Sequence, residues 1–341
     1  MEFDSINGLT IQNLAIGYHK GSETHQLGGI INAHAKPGSL ISLIGPNGVG
    51  KSTLIRTICQ LHPSLSGQII INSIDSAKLS RLQMAKTISL VSTDLYRSSK
   101  LKVADLVELG RFPHGSWFSG LSSNDNNCIK ISMDQVNISS LAQRDITELS
   151  DGEYQRAMIA RALAQDTPIV LLDEPTAFLD LANKFSMVSL LWNLTRNNQK
   201  TILFSTHDIN IAMQFADVFW VLTKDGLKAG APEDLIIDGT LEDLYTGTSV
   251  FFDSSTLQFR NKKNKRVPIQ VIGTGKVFQF TLMALDRLGF DTDCNNSPAL
   301  TVKIIATKQT TVWKFAHGNN ILEFNSIYEL QEALREFLMY S

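Results

Sequence analysis

Gly45-Pro46-Asn47-Gly48-Val49-Gly50-Lys51-Ser52-Thr53 decides how the rest of this sequence is read. It follows the apolar run Leu40, Ile41, Leu43, Ile44 and precedes helix signals that run from Lys51 to about Leu61, ending near Pro63. Strand, glycine-rich loop, helix, with the spacing GxxxxGK[ST], is the pattern of a phosphate-binding P-loop. The glycines let the backbone curl so that its N–H groups face a triphosphate, and the helix N-terminus adds partial positive charge. Gly45, Pro46, Asn47, Gly48, Val49, Gly50, Lys51, Ser52 and Thr53 are therefore the candidate nucleotide contacts. In this pattern Lys51 reaches the β- and γ-phosphates and Ser52 offers its hydroxyl to Mg²⁺. The chain is expected to bind a nucleoside triphosphate.

With 341 residues the chain can form two domains that each bury a core. Its net charge of −2 gives no reason to expect nucleic acid as a partner. The longest apolar run, Val218-Phe219-Trp220-Val221-Leu222, is far short of the ~20 residues of a membrane-spanning helix. Met1-Glu2-Phe3-Asp4-Ser5 is acidic and lacks a hydrophobic signal core, so an intracellular chain that does not itself cross a membrane is expected. Cys59, Cys128 and Cys294 are far apart and odd in number, which favours free thiols over zinc or a disulfide framework.

Residues 9–18 carry strand-like alternation, and a hairpin-like β region leads on to the P-loop. Strands are expected at 67–72, 87–92, 169–172, 201–205 and 218–222, with a mostly helical stretch over about 103–165 whose polar run Ser122–Asn127 reads as loop. Unalternated apolar strands joined by helices indicate a parallel α/β core. At residues 260–266 five of seven residues are basic, a pattern of an anionic-lipid or RNA contact or, more simply, of a solvated interdomain linker. Beyond it a small α/β domain is expected: strands at 268–272, 300–306 and 311–315, a helix over 277–288, and a last helix opened by the capping box Ser326…Glu329 with Ile327, Leu330, Leu334 and Phe337 on one face. Gly273-Thr274-Gly275-Lys276 reads as a plain strand–helix turn.

Four features narrow the chemistry. The apolar strand 169–172 ends in Asp173-Glu174, where Asp173 is placed to hold Mg²⁺ and Glu174 to polarise an attacking water, a role typically worth ~10²–10⁴ in rate. Ser150 and Glu153 form a capping box; read further, Ser150 and the N–H groups near Gly152 make an anion site exposed to the γ-phosphate of another subunit. Ser205-Thr206-His207-Asp208 ends the next strand, where His207 suits a γ-phosphate sensor beside a nucleotide crevice. Tyr18, at the end of the first strand, either stacks on an adenine face or is a core or rim tyrosine.

Taken together, GPNGVGKST (45–53), LSDGEYQR (149–156), IVLLDEPTAFLD (169–180) and STHD (205–208) resemble the ATP-binding subunit of an ABC transporter, over about the first three quarters of the chain. Gly110-Arg111-Phe112-Pro113-His114 further resembles the cassettes of importers for iron–siderophore complexes, haem and cobalamin. The resemblance implies an α/β P-loop NTPase cassette over 1–258, with a parallel core sheet, an antiparallel β subdomain and a helical subdomain. A basic linker (259–266) and a small α/β accessory domain (267–341) would follow. It implies a Mg²⁺-dependent ATPase acting as a homodimer at the cytoplasmic face of the plasma membrane. Its implied partners are two polytopic permease subunits, docked on the helical region of about 93–150, and a separate substrate-binding protein.

Each ATP would lie between one P-loop and the partner's Ser150-Asp151-Gly152-Glu153, with Glu174 as catalytic carboxylate, His207 as switch histidine and Asp180 of the D-loop near the partner's P-loop. The family usually has glutamine where this chain has Thr93, a shorter side chain for the same contact with Mg²⁺, and Asp151 replaces the first glycine of the signature pair. The competing reading is a soluble ABC-type ATPase acting on ribosomes, DNA or Fe–S assembly; neither long coiled coil nor a second cassette is present to favour it.

Overall fold

In the computed structural model, residues 8–21, 23–92, 100–115, 120–253, 258–261, 267–292, 299–307, 310–318 and 320–340 are described. The contacts of the chain divide into two units, Met1–Thr246 with Phe252–Phe259, and Gly247–Phe251 with Arg260–Ser341.

The first unit opens with β1 (Leu9–Lys20) and β2 (Glu23–Ala35), a long antiparallel pair, followed by β3 (Leu40–Ile44), the P-loop and α1 (Lys51–Ile58). Next come β4 (Ser66–Ile71), β5 (Ile74–Asp75), α2 (Arg81–Ala85), β6 (Ile88–Val91), α3 (Val103–Glu108), α4 (Ser123–Gln135) and α5 (Asp151–Ala164). The strands then resume: β7 (Ile169–Leu172), α6 (Leu181–Asn198), β8 (Thr201–Ser205), α7 (Ile209–Phe215), β9 (Val218–Thr223) and β10 (Gly226–Gly230). Two short helices, α8 (Pro232–Ile237) and α9 (Thr240–Asp243), precede strands β11 (Val250–Asp253) and β12 (Gln258–Asn261), whose Phe252 and Phe259 join the same core.

Two sheets result. One is antiparallel, in the order β2-β1-β4-β5; the other has the order β10-β9-β3-β8-β7-β6 and is parallel apart from the β9–β10 pair. Every residue of β3, β7 and β8 is buried. Along β8, Ile202 and Phe204 face one core cluster and Leu203 the other, which is why these strands read as continuous apolar runs. The alternation of β1 survives only because of a bulge. Asn13 has a left-handed φ of 48° at a register shift, so Leu9 and Ile11 before it and Leu14 and Ile16 after it enter one cluster.

Three expectations need correction here. Helix α1 ends at Ile58 rather than near Leu61, because Gln60 turns left-handed (φ 57°) and breaks the ladder before Pro63. The polar run Ser122–Asn127 is not loop but the cap and first turn of α4: the Ser122 hydroxyl accepts from Asp125 N–H, and the Asp125 carboxylate accepts from Ser122 N–H at 3.0 Å. The third concerns the second unit, where the segment 268–272 is split into β13 (Val267–Pro268) and β14 (Gln270–Ile272), paired with different neighbours.

The second unit continues with α10 (Gly275–Leu288), β15 (Phe290–Asp291), β16 (Leu300–Ala306), β17 (Thr311–His317), β18 (Asn320–Phe324) and α11 (Ile327–Tyr340). Its sheet runs β14-β16-β17-β18, and Leu285 of α10 and Leu330 and Leu334 of α11 pack with Val302, Trp313 and Phe315 in a core of its own. Ser326 caps α11 through Glu329 N–H as expected, while the Glu329 carboxylate reaches back to Asn325 N–H. Of Gly273–Lys276, Gly273 and Thr274 make the turn between β14 and α10, and Gly275 and Lys276 are the first residues of the helix.

The helical part of the first unit is tied down by a charge. Gly110 lets the turn after α3 touch α5: a Cβ there would lie 2.2 Å from the Arg161 carbonyl oxygen. Beside it Arg111, only 4% exposed, donates from Nε to Asp125 Oδ1 (2.8 Å) and from Nη1 to the Ala164 carbonyl (2.7 Å). The Ser122 hydroxyl and the Arg111 guanidinium hold the Asp125 carboxyl down at about 2. A depressed carboxyl stabilises the fold above its unfolded value and loses that contribution as pH falls toward 2. Asp125→Asn leaves the Arg111 charge unpaired, with an expected cost of about 3–5 kcal/mol. Urea unfolding will show it as a lower midpoint at neutral pH, with a shallower loss of stability between pH 4 and 2 than in the parent chain.

Candidate nucleotide site

The C-terminal ends of β3, β8 and β7, three neighbouring strands, each stop at a segment singled out in the sequence. After β3 the loop bends back so closely that a Cβ on Gly45 would lie 2.3 Å from the Leu222 carbonyl oxygen, and Gly50 caps α1 at φ 111°. No side chain caps α1, so its first N–H groups remain directed at whatever occupies the loop. Lys51 folds back over the loop and donates from Nζ to the carbonyls of Gly45 (2.8 Å) and Pro46 (3.1 Å). Burial lowers the Lys51 pKa, and the charges of Glu174 and Asp173 work in the opposite sense. Pro46, Asn47, Gly48 and Val49 line a cavity of about 470 Å³ together with Gln26, Leu27 and Gly28 of β2 and Lys224 after β9.

After β7, Asp173 is buried and Glu174 turns left-handed at φ 48°, which sends the two carboxylates in different directions. Ser205, the last residue of β8, joins them: its hydroxyl donates to Asp173 Oδ1 (2.8 Å) and accepts from Glu174 N–H (2.8 Å). The Glu174 carboxylate reaches the other way, to His207 Nε2 at 2.7 Å. Asp208 caps α7 and meets Lys184 Nζ at 3.4 Å. Lys51, Asp173, Glu174 and His207 thus gather at one end of the sheet. Sequence reasoning gave Ser205 no role; its position as the last buried hydroxyl of β8, two residues before His207, was the signal.

The remaining residues stand apart from this group. Ser150 caps α5, accepting from Glu153 N–H at 3.3 Å and donating to Glu153 Oε2 at 2.8 Å, with Glu153 also accepting from Ser150 N–H. Those bonds lower the Glu153 pKa. Asp151 is exposed in the first turn of α5, and Gly152 lies beside Leu179 and Asn183. Asp180 caps α6, accepting from Asn183 N–H at 2.8 Å. Tyr18 is 46% exposed, which excludes the core. Thr93 lies outside the described residues, as do Cys294 and residues 262–266 of the basic run. Cys59 and Cys128 are free thiols, and burial pushes Cys59 up to about 12.

Against known families, the ABC transporter profile matches residues 29–177, and that of the iron ABC transporter C-terminal domain matches 266–335. The iron(3+)-hydroxamate import ATP-binding protein FhuC of Bacillus subtilis (strain 168) is 35% identical over 70% of this chain and 88% of its own length. The chain belongs to the ATP-binding proteins of ABC transporters. It is an ATPase of that family, and the fold described above is the ABC cassette with a further C-terminal domain. The ferric enterobactin transport ATP-binding protein FepC of Escherichia coli (strain K12) is 31% identical over 71% of this chain and 88% of its own. Among solved structures, an inward-facing putative metal-chelate type ABC transporter aligns with 92% of this chain and 97% of its own at 25% identity (TM-score 0.58). The dimeric bacterial cassette MJ0796 aligns with 65% of this chain and 98% of its own at 27% identity, also with TM-score 0.58. No helix among the described residues of this ABC ATPase is long and apolar enough to cross a membrane.

Removing the Ser205 hydroxyl strips Asp173 of a donor and Glu174 N–H of its acceptor. Ser205→Ala is expected to destabilise the first unit by about 1–3 kcal/mol, read in urea unfolding; a loss within error of zero would show that another group takes over both bonds.

Proposed function

We propose that this ATPase drives import of an iron–chelate complex as the cytoplasmic, membrane-peripheral subunit of an ABC importer, acting as a homodimer. It would work on two polytopic permease subunits with a separate substrate-binding protein. The observation that carries the iron assignment is the match of residues 266–335 to the iron ABC transporter C-terminal domain, alongside relatives named for ferric siderophores. Residues 1–258 are taken as the working cassette, 259–266 as the linker and 267–341 as the accessory domain.

In this reading the loop 45–53 and α1 hold the triphosphate, and Lys51 exchanges its two backbone carbonyls for phosphate oxygens. Glu174 orients and deprotonates the attacking water, and His207, hydrogen-bonded to Glu174, meets the γ-phosphate. Ser150-Asp151-Gly152-Glu153 and Asp180 complete the partner's site. The Ser52 hydroxyl and the Asp173 carboxylate are hard oxygen donors near Lys51, a set that suits Mg²⁺ with phosphate and water oxygens completing its shell. Mg²⁺, when bound, would neutralise phosphate charge. Thr93 is the third proposed oxygen donor. The soluble-ATPase alternative has no observation in its favour.

Glu174→Gln tests both halves of the proposal. Phosphate release is expected to fall ~10²–10⁴-fold, with ATP binding retained. Affinity purification of that variant from detergent-solubilised membranes in Mg-ATP should recover a polytopic partner in stoichiometric amount. Recovery with ribosomes or soluble assembly factors alone would overturn the transporter reading and leave the hydrolytic one standing. Deleting 267–341 is expected to weaken dimerisation or the response to transported ligand; unchanged behaviour in both would remove the accessory role.

A further inference from the structure

His25 has no role in the reading above, yet it stacks against Tyr18, the ring whose sequence position suits stacking on an adenine. Strands β1 and β2 pair Ile16 with Leu27, Gly17 with Gln26, Tyr18 with His25 and His19 with Thr24. Directly opposed residues share a sheet face, and strand periodicity puts Ile16, Leu27, Tyr18 and His25 on the same one. That face covers the P-loop: a Cβ on Gly50 would lie 3.0 Å from Ile16 Cδ1 and 3.3 Å from Leu27 Cβ. Tyr18 and His25 form the next pair outward, roughly 7 Å further along the strands at about 3.4 Å per residue. Gln26, Leu27 and Gly28, which follow His25, line the cavity that the loop itself lines.

The two rings stack with centroids 5.3 Å apart and 26° between their planes. Both are well exposed, Tyr18 at 46% and the His25 side chain at 43%. Glu23 Oε2 lies 3.7 Å from the imidazole Nε2, and the next cross-strand pair is closed by a 3.0 Å hydrogen bond between Thr24 Oγ1 and His19 Nδ1. The exposed part of the stacked pair is flat aromatic surface on which a base can stack. A ring held before a base arrives also loses less rotamer freedom when the base stacks on it.

We propose that His25 is a positioning residue for base recognition: its imidazole holds the Tyr18 ring in the orientation on which the purine of the bound nucleotide stacks. The chemical class selected is a triphosphate carrying an aromatic base, over the bare phosphate chain that the P-loop alone would accept. This rests on the P-loop reading proposed above and on the adenine-stacking alternative for Tyr18.

The test compares ATP with inorganic tripolyphosphate as ligands for the full chain, by calorimetry or ligand competition. His25→Thr keeps a strand-forming residue and removes the ring; it is expected to weaken ATP binding about 3- to 10-fold with tripolyphosphate binding unchanged. His25→Phe should restore ATP binding, since a flat ring is what the position requires. Tyr18→Ala should weaken ATP selectively, by at least as much as His25→Thr. Unchanged ATP affinity in His25→Thr, equal losses for both ligands, or failure of His25→Phe to rescue would each overturn the proposal. If Tyr18→Ala is selective and His25→Thr is not, the His25 assignment alone falls. If neither is selective, the placement of the base at Tyr18 falls with it.

Discussion

The pairing of β3, β8 and β7 with both faces buried is the constraint from which the site follows. Apolar side chains fill both sides of these strands, so polar chemistry has room only where each strand stops. The strands are in parallel register, Leu43 beside Ser205 and Leu172 beside Phe204, so they stop at nearly the same level. The P-loop, the two carboxylates and the histidine meet there as a consequence. A single hydroxyl, Ser205, then ties the turn after β7 to the end of β8.

The helical part of the first unit is organised differently. Its interior includes a full ion pair, Arg111 with Asp125, completed by a helix-terminal carbonyl and a capping serine. Such a pair is a weak source of net stability against an apolar replacement, but it tolerates no half-measures, because either partner alone is a charge in the interior. It fixes the turn after α3 onto the end of α5, and α5 is the helix that Ser150 opens. The placement of Ser150 is therefore linked by packing to an arginine well away from it in sequence.

The parallel core was legible because its strands are short apolar runs between polar or turn residues, Pro168 and Asp173 around β7 and Lys200 and Thr206 around β8: both were read to the residue. The P-loop, Asp173, Glu174 and His207 were legible for the same reason, since their spacing relative to those strands leaves little freedom. What escaped reading depended on single hydrogen bonds or on residues distant in sequence. Ser122–Asn127 is polar throughout, so no apolar periodicity announced α4; only the Ser-x-x-Asp cap did. Gln60 ended α1 two residues beyond its last helical position through its own backbone conformation, which composition does not encode. The partnership of Tyr18 with His25 required the register of a hairpin containing bulges, and no count of alternating residues supplies that. The division of 268–272 between two sheets is likewise a matter of which neighbours each strand meets.

The 2.7 Å contact between Glu174 and His207 bears on the site before nucleotide arrives. In the proposed reading, the carboxylate that acts on water is occupied by the imidazole that reads the phosphate, within one and the same chain. The hydrolytic group of a nucleotide-free subunit is, in that reading, turned toward its own neighbour until a γ-phosphate draws the histidine away. On the same reading an empty site does no work, and the carboxylate comes free only when a phosphate chain is present to be cut.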